Sequence, residues 1–340
     1  MPLALRSLGV GLVGVTCLTL QLAVPSSAAT SPSPAAPSLV AVQGQAGPAH
    51  DRDLPEGALR RDGQSGRPFA VDSAWNTPVG AAPVVDAGSA AMVGNLAGSG
   101  AATAQAYADT PPVYDADAST PRYALTCTQP WGPCPFAGDV PIPAGATASP
   151  GHDASMLVID WSTRRVYEFW QYRNDRRTVS WGAVNLIDGD GRTGAVGAGV
   201  SRLAGLIRPH EIRAGVIDHA LVGPTGNSCT SHRYPATKSD GWSTAPGCIP
   251  EGARVQLNPA VDCASLPAPT WEKIVCRALQ TYGWYNIDNG GAKGSPGFGI
   301  QFENPTDEPD PYPAAGLAWD HMHTTALPLH KLRVLAASNS

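Results

Sequence analysis

Apolar positions fall into three regimes along the chain: one continuous run near the start, a stretch of small and polar residues, then a long region where short apolar segments alternate with glycine and proline. In the third regime, residues 156–160 (MLVID) and 165–172 (RVYEFWQY) are rich in β-branched and aromatic side chains and flank Ser162-Thr163-Arg164, which predicts a hairpin. A further strand is predicted over 179–187, stopped by Asp188-Gly189-Asp190-Gly191. Segments 216–222, 253–257, 284–287 and 298–302 bring the set to at least seven. Helical spacing is clearest over 270–282, where Trp271, Ile274, Val275, Ala278, Leu279 and Tyr282 share one face and Gly283 supplies the stop. Shorter helices are predicted over 89–96 and over 209–213, the latter opening on Pro209. No helix alternates regularly with strands, so the pattern predicts a mainly β, antiparallel β-sandwich with a few short helices.

The first regime reads as a secretory leader: Arg6, an apolar run over 8–24, then Ser26-Ser27-Ala28-Ala29, with cleavage after Ala28 or Ala29. Seventeen apolar-run residues interrupted by Gln21 fall short of the roughly 20 needed to cross a bilayer, so a retained anchor is disfavoured. Residues 30–68 are rich in Ala, Ser, Pro, Gly and Gln and bury too little apolar surface to offset their ordering entropy, which predicts a disordered linker. The organisation expected is a leader over 1–29, this linker, a single sandwich domain over 69–336 and a tail over 337–340. A secreted, extracellular monomer is expected.

Seven cysteines reduce to six once Cys17 leaves with the leader, and an even set in an oxidising compartment implies three disulfides. Sequential pairing is expected: Cys127 with Cys134, Cys229 with Cys248, and Cys263 with Cys276. No C-x-x-C occurs, which argues against a thiolate zinc site. Asp188 and Asp190 carry only a fragment of a calcium-loop pattern, and His321 and His323 have no third ligand nearby, so no metal and no cofactor is expected. The net charge of −5 and the lack of a basic stripe argue against nucleic acid as a partner. No G-x-S-x-G elbow occurs in the mature region, and paired cysteines are poor nucleophiles.

Strand alternation places Glu168 beside Trp170, Asp288 beside Asn286 and Trp284, and Glu303 beside Gln301. A carboxylate next to an aromatic or amide suits a sugar groove, where pyranose rings stack on aromatic faces, and paired carboxylates supply the acid and the base or nucleophile of glycoside hydrolysis. The solvated outer face of a strand is the competing reading for each of these carboxylates. The block Arg208-Pro209-His210-Glu211 followed by Asp218-His219 places a tunable imidazole on an apolar face, where the alternative is a core histidine bonded to backbone.

The blocks at 72–78 (DSAWNTP), 203–212, 217–221, 234–241 (YPATKSDG), 249–257 and 278–291 resemble a group of secreted actinobacterial proteins with jelly-roll, concanavalin-like (lectin/glucanase-like) β-sandwiches, associated with polysaccharide breakdown. That resemblance spans nearly all of 70–336 and implies the fold and the secreted setting; it carries over no catalytic residue. The reading is a secreted enzyme acting on a polysaccharide. For hydrolysis, Glu168, Asp288 and Glu303 are the candidate catalytic carboxylates, with Trp75, Trp170, Trp181 and Trp284 as stacking subsites and Asn76 beside them. For β-elimination, His219, with Asp218 adjacent, is the candidate base, Tyr285 or Tyr167 the acid, and Arg208 or Asn286 the group that neutralises a uronate. Hydrolysis is preferred because the chain is acidic. A non-catalytic glycan- or wall-binding protein is the third reading.

Overall fold

Asp160 sets the predicted hairpin: its buried carboxylate accepts hydrogen bonds from the Ser162 N–H and the Thr163 hydroxyl and pairs with Arg122, while Arg164 takes a left-handed φ of 54°. The computed structural model describes residues 67–173, 177–306 and 309–338. Its first four-stranded sheet consists of β1 (Val113–Ala116), β2 (Met156–Asp160), β3 (Arg165–Trp170) and β4 (Trp181–Leu186), side by side in that order. The second contains β5 (Leu221–Thr225), β6 (Arg254–Leu257), β7 (Trp284–Asn289) and β8 (Leu332–Val334), in the order β5-β7-β6-β8. Short two-stranded ladders, such as Thr103–Gln105 with Gly299–Gln301, complete a mainly β fold of 25% strand and 12% helix.

Both large sheets are mixed, which corrects the all-antiparallel expectation: β1 runs parallel to β2, and β5 runs parallel to β7. Side-chain alternation reports which face is buried and carries no information about strand direction. Direction follows from connection length, and between β5 and β7 the chain makes β6 and a helix, the long crossover that a parallel pair requires.

The helices α1 (Ser89–Ala97), α2 (Pro209–Ala214) and α3 (Thr270–Thr281) lie where the periodicity predicts them. Trp271, Ile274, Val275 and Leu279 of α3 pack with Val255, Leu257 and Trp284 of the second sheet. Leu157, Ile159 and Val166 of the first sheet share a core with Val222, Tyr285 and Ile287 of the second. Met156, Val158 and Phe169, on the opposite face of the first sheet, pack on Phe136 and Val140. Neither sheet therefore has a wet face at its centre, and the carboxylates pointing inward must find polar company.

The predicted strand over 216–222 forms only from Leu221 onward. Residues 216–219 alternate exposed and buried without ladder partners, because one side of this loop lies on the core. Disulfides join Cys127 to Cys134, Cys229 to Cys248 and Cys263 to Cys276, the pairing expected from spacing. Cys17, the leader and the linker as far as residue 66 lie outside the described residues, which all belong to one unit, Leu54–Ser340. Among the described residues no helix is long and apolar enough to cross a membrane.

Candidate functional site

Arg202 gathers the polar groups between the sheets. Its side chain is only 6% exposed and reaches Asp288 Oδ2 at 3.5 Å and Asp153 Oδ2 at 3.8 Å. The same guanidinium donates to the Asp109 carbonyl at 3.2 Å and the Ser155 hydroxyl at 3.3 Å. Its backbone N–H points the other way, to Glu168 Oε2 at 3.4 Å, and Glu168 also accepts from the Ser201 hydroxyl and the Ala195 N–H. Glu168 on β3 and Asp288 near the end of β7 thus come from different sheets to the two ends of one arginine. Glu168, Trp170, Ala195, Arg202, Ser155 and Pro111 line a small cleft there of about 10 Å³, room for one water-sized group.

Burial pushes the Glu168 carboxyl up to about 7, against the downward pull of Ser201 and the two N–H groups. Burial likewise pushes Asp288 up to about 7; Arg202 favours its ionised form, while Asp240 and Asp153 oppose it. Glu251 rises to about 9 through burial and the adjoining Asp240 carboxyl, helped by the charge of Asp288, with the Asp240 N–H acting the other way. Folded chains therefore hold protons on these three groups that unfolded chains, with carboxyls near 4, release. The folded state binds more protons through this range, so stability falls as pH rises from about 4.5 to 9. Thermal unfolding followed by circular dichroism is expected to show a lower midpoint at pH 9 than at pH 5.5.

A tryptophan cluster borders the cleft. Trp170 and Trp181 face each other across β3 and β4. Trp131, from the loop clasped by Cys127 and Cys134, stacks on Trp170 with ring centroids 5.7 Å apart and 19° between planes, and leans on Trp181 at 5.8 Å. Trp131 is 60% exposed, and Trp170 donates its indole N–H to Asp153 at 3.1 Å, which ties the aromatic surface to the Arg202 cluster.

Other candidates lie elsewhere. Trp75 and Trp284 are fully buried, donate to the Asp190 and Gly299 carbonyls, and are core side chains rather than stacking subsites. Asn76 is buried and ties down the carbonyls of Pro68 and Ala70; Asn286 is buried and bonds Ser228 and Ile249. Tyr285 is buried against Trp75, with its hydroxyl on the Ala74 carbonyl. Tyr167 is buried in the core on the opposite face of the first sheet. The Asp218 carbonyl receives Arg67, and the residue is exposed. Their aromatic and amide character made them candidates, but sheet faces that read as grooves are covered.

Glu303 is buried and paired with Arg208 rather than with Arg202. His219 sits in the same polar network with both ring nitrogens engaged. Nδ1 faces the Ala220 carbonyl at 2.9 Å and must donate to it; Nε2 lies 2.9 Å from Glu211 Oε1. Burial disfavours an imidazolium there, but the Glu211 charge and hydrogen bond prevail and raise the His219 pKa, while Glu211 is lowered despite burial, through His219. The result is a buried ion pair with no ring nitrogen left to accept a proton from substrate, which corrects the reading of His219 as a base. Asp188 is clamped by Arg164, and Asp190 caps the Arg192 N–H. His323 meets the Thr103 hydroxyl at 3.1 Å.

No family model, curated protein or solved structure matches this chain. The site therefore stands on its geometry. Sequence reading reached Glu168, Asp288, Trp170 and Trp181 and missed Trp131, Ser201, Arg202, Asp153, Asp240 and Glu251. Trp131 carried one legible signal, a tryptophan in a loop closed by two cysteines seven residues apart; Arg202 had none beyond its place in Gly199-Val200-Ser201-Arg202.

Proposed function

We propose that the protein is a secreted enzyme that cleaves a polysaccharide by glycoside hydrolysis, with Glu168 and Asp288 as the carboxyl pair. The observation that carries this reading is their placement: two carboxyls from different sheets, both held near 7, meet one buried arginine beside a cleft bordered by an exposed tryptophan surface. Titration near neutrality is what an acid and a base working on one glycosidic bond need. Asp288 is the more open of the two, 22% exposed in its side chain, and faces the guanidinium, so it is the base or nucleophile. Glu168, more deeply buried, is the acid that protonates the leaving oxygen. Elimination loses support because His219 has no free nitrogen.

In this reading the two sheets and their shared core act as the layers of a sandwich, with the cleft at its rim. The leader-like start and three disulfides support export to an oxidising compartment. Exposure of Trp131 favours a second reading, a glycan-binding protein without turnover. Incubating the mature chain with a panel of polysaccharides, and reading reducing ends together with retention on insoluble glycan, separates the two: retention without new ends leaves only binding. Trp131→Ala is expected to weaken retention about tenfold, a loss of about 1.4 kcal/mol, with an unchanged thermal midpoint because the ring is largely exposed.

A further inference from the structure

Where β6 begins, a pocket of about 100 Å³ opens that shares no lining residue with the Glu168 cleft. A single water needs about 10–15 Å³, so this pocket admits a group of several heavy atoms. Arg233, Tyr234, Arg254 and Tyr285 form its walls, and residues 335–338, which follow β8, form its rim. Register across β6 and β7 pairs Arg254 with Tyr285, which puts both side chains on one face, with the guanidinium carbon 5.4 Å from the Tyr285 ring centroid. The Leu335 N–H donates to the Arg254 carbonyl and so draws the last residues past the opening.

The charge on these walls is unbalanced. Arg254 donates from Nε to the Tyr282 carbonyl at 2.8 Å and from Nη2 to the Thr77 carbonyl at 2.6 Å, which fixes its plane. Its Nη1 donates to no group among the described residues, and no carboxylate there pairs with it. Burial disfavours the Arg254 charge and lowers its pKa, with the Tyr285 hydroxyl alone pulling the other way. Arg233 donates from Nη1 to Asp86 at 3.0 Å and to the Leu335 carbonyl at 3.2 Å. Arg192 lies 4.8 Å from the centroid of the Tyr234 ring and donates to the Pro235 carbonyl. Three guanidinium groups therefore gather here with one carboxylate, Asp86, among their partners. Glu251, next to Gly252 in the pocket lining, is pushed up to about 9 by burial and the Asp240 carboxyl, and it adds no negative charge at pH 6.5.

We propose that this pocket is an anion-binding site that takes one carboxylate, sulfate or phosphate group, free or carried on a sugar, with Arg254 and Arg233 as its donors. The site is separate from the hydrolase reading and stands without it. A guanidinium presents its N–H groups in a fork that matches an oxyanion, and the carbonyls of Tyr282 and Thr77 hold that of Arg254 in place before the ligand arrives. The incoming charge offsets one that burial leaves uncompensated. Tyr234 and Tyr285 give the anion an aromatic flank, against which the ring of a sugar acid can lie. An ammonium group would be repelled, and a neutral ligand would leave the charge as it is.

The test titrates the full disulfide-bonded mature chain with sodium sulfate, sodium glucuronate and glucose by calorimetry, at pH 6.5 and constant ionic strength. Saturable binding of sulfate or glucuronate at one site, with none of glucose, is the expected result. The ratio of the two affinities tells the sources apart: glucuronate at least about tenfold tighter means a sugar-borne carboxylate, and sulfate equal or tighter means a free oxyanion. Arg254→Gln is expected to weaken anion binding at least about tenfold, with folding checked by circular dichroism because the Tyr282 and Thr77 carbonyls also lose a donor. Ala337, exposed at the rim, tests the same charge without touching those bonds. Ala337→Glu is expected to weaken binding about tenfold, and Ala337→Gln to leave it within about twofold. Glucose binding as tight as glucuronate, no saturable binding of either anion, or anion binding that survives either charge-changing variant overturns the site.

Discussion

Glu168→Gln and Asp288→Asn are each expected to lower kcat/KM on the cleaved polysaccharide about 1000-fold, within the range general acid and base groups contribute. Reducing-end formation at pH 6.5 measures it. The control is stability: Glu168 is a buried carboxyl whose charged form burial disfavours, so the glutamine variant is expected to keep or raise the thermal midpoint at pH 8. A structural carboxylate would show the reverse, a lower midpoint with activity falling only as far as folding does. Activity against pH is expected to follow a bell centred near 7 in the parent and to lose its alkaline limb when Glu168 is replaced, since the limb reports the acid giving up its proton.

The largest expected effect on stability lies away from that pair. Glu211→Gln is expected to destabilise the fold by about 3–5 kcal/mol, because it strands a buried imidazolium between a carbonyl and a neutral amide. In a domain of this size that lowers the midpoint by about 10 °C, measurable by scanning calorimetry. The linkage has a definite sign on each side. Raised His219 contributes stability that is full below its unfolded value of 6.5 and lost as pH climbs through its folded value. Lowered Glu211 contributes stability that is full above its unfolded value of 4.5 and lost as pH falls through its folded value. The midpoint penalty of the variant is therefore greatest between pH 4.5 and 6.5. Replacing both partners by apolar residues, His219→Phe with Glu211→Leu, is expected to recover much of the loss, since no charge is then left buried alone.

Local signals in the chain were legible because local forces set them. The i, i+3, i+4, i+7 spacing of α3, the proline that opens α2, the hairpin closed by Asp160 and the nearest-neighbour disulfides depend on residues close in sequence, and each lies where the pattern places it. Face reading failed where alternation was taken as evidence of a wet side. Trp284, Asn286 and Tyr167 alternate as groove residues would, yet both faces of their sheets are covered, so polar atoms on these strands serve internal bonds. Glu168 and Asp288 were legible one at a time as strand carboxylates. Their convergence was not, because Arg202 joins two sheets whose relation depends on long crossovers. His219 was legible as buried and illegible as protonated, since its partner Glu211 comes from the helix before it and only geometry puts Nε2 against the carboxylate.

The cystine between Cys127 and Cys134 holds the loop from which Trp131 covers Trp170. In a reducing cytosol the thiols stay apart, and the loop is free to carry its indole away from the sheet. A reduced chain would thus keep Glu168 and Asp288 while Trp131 loses its fixed place over Trp170. Oxidation fixes the place of an exposed indole as well as tying the backbone, so the aromatic surface itself depends on the redox state of the surroundings.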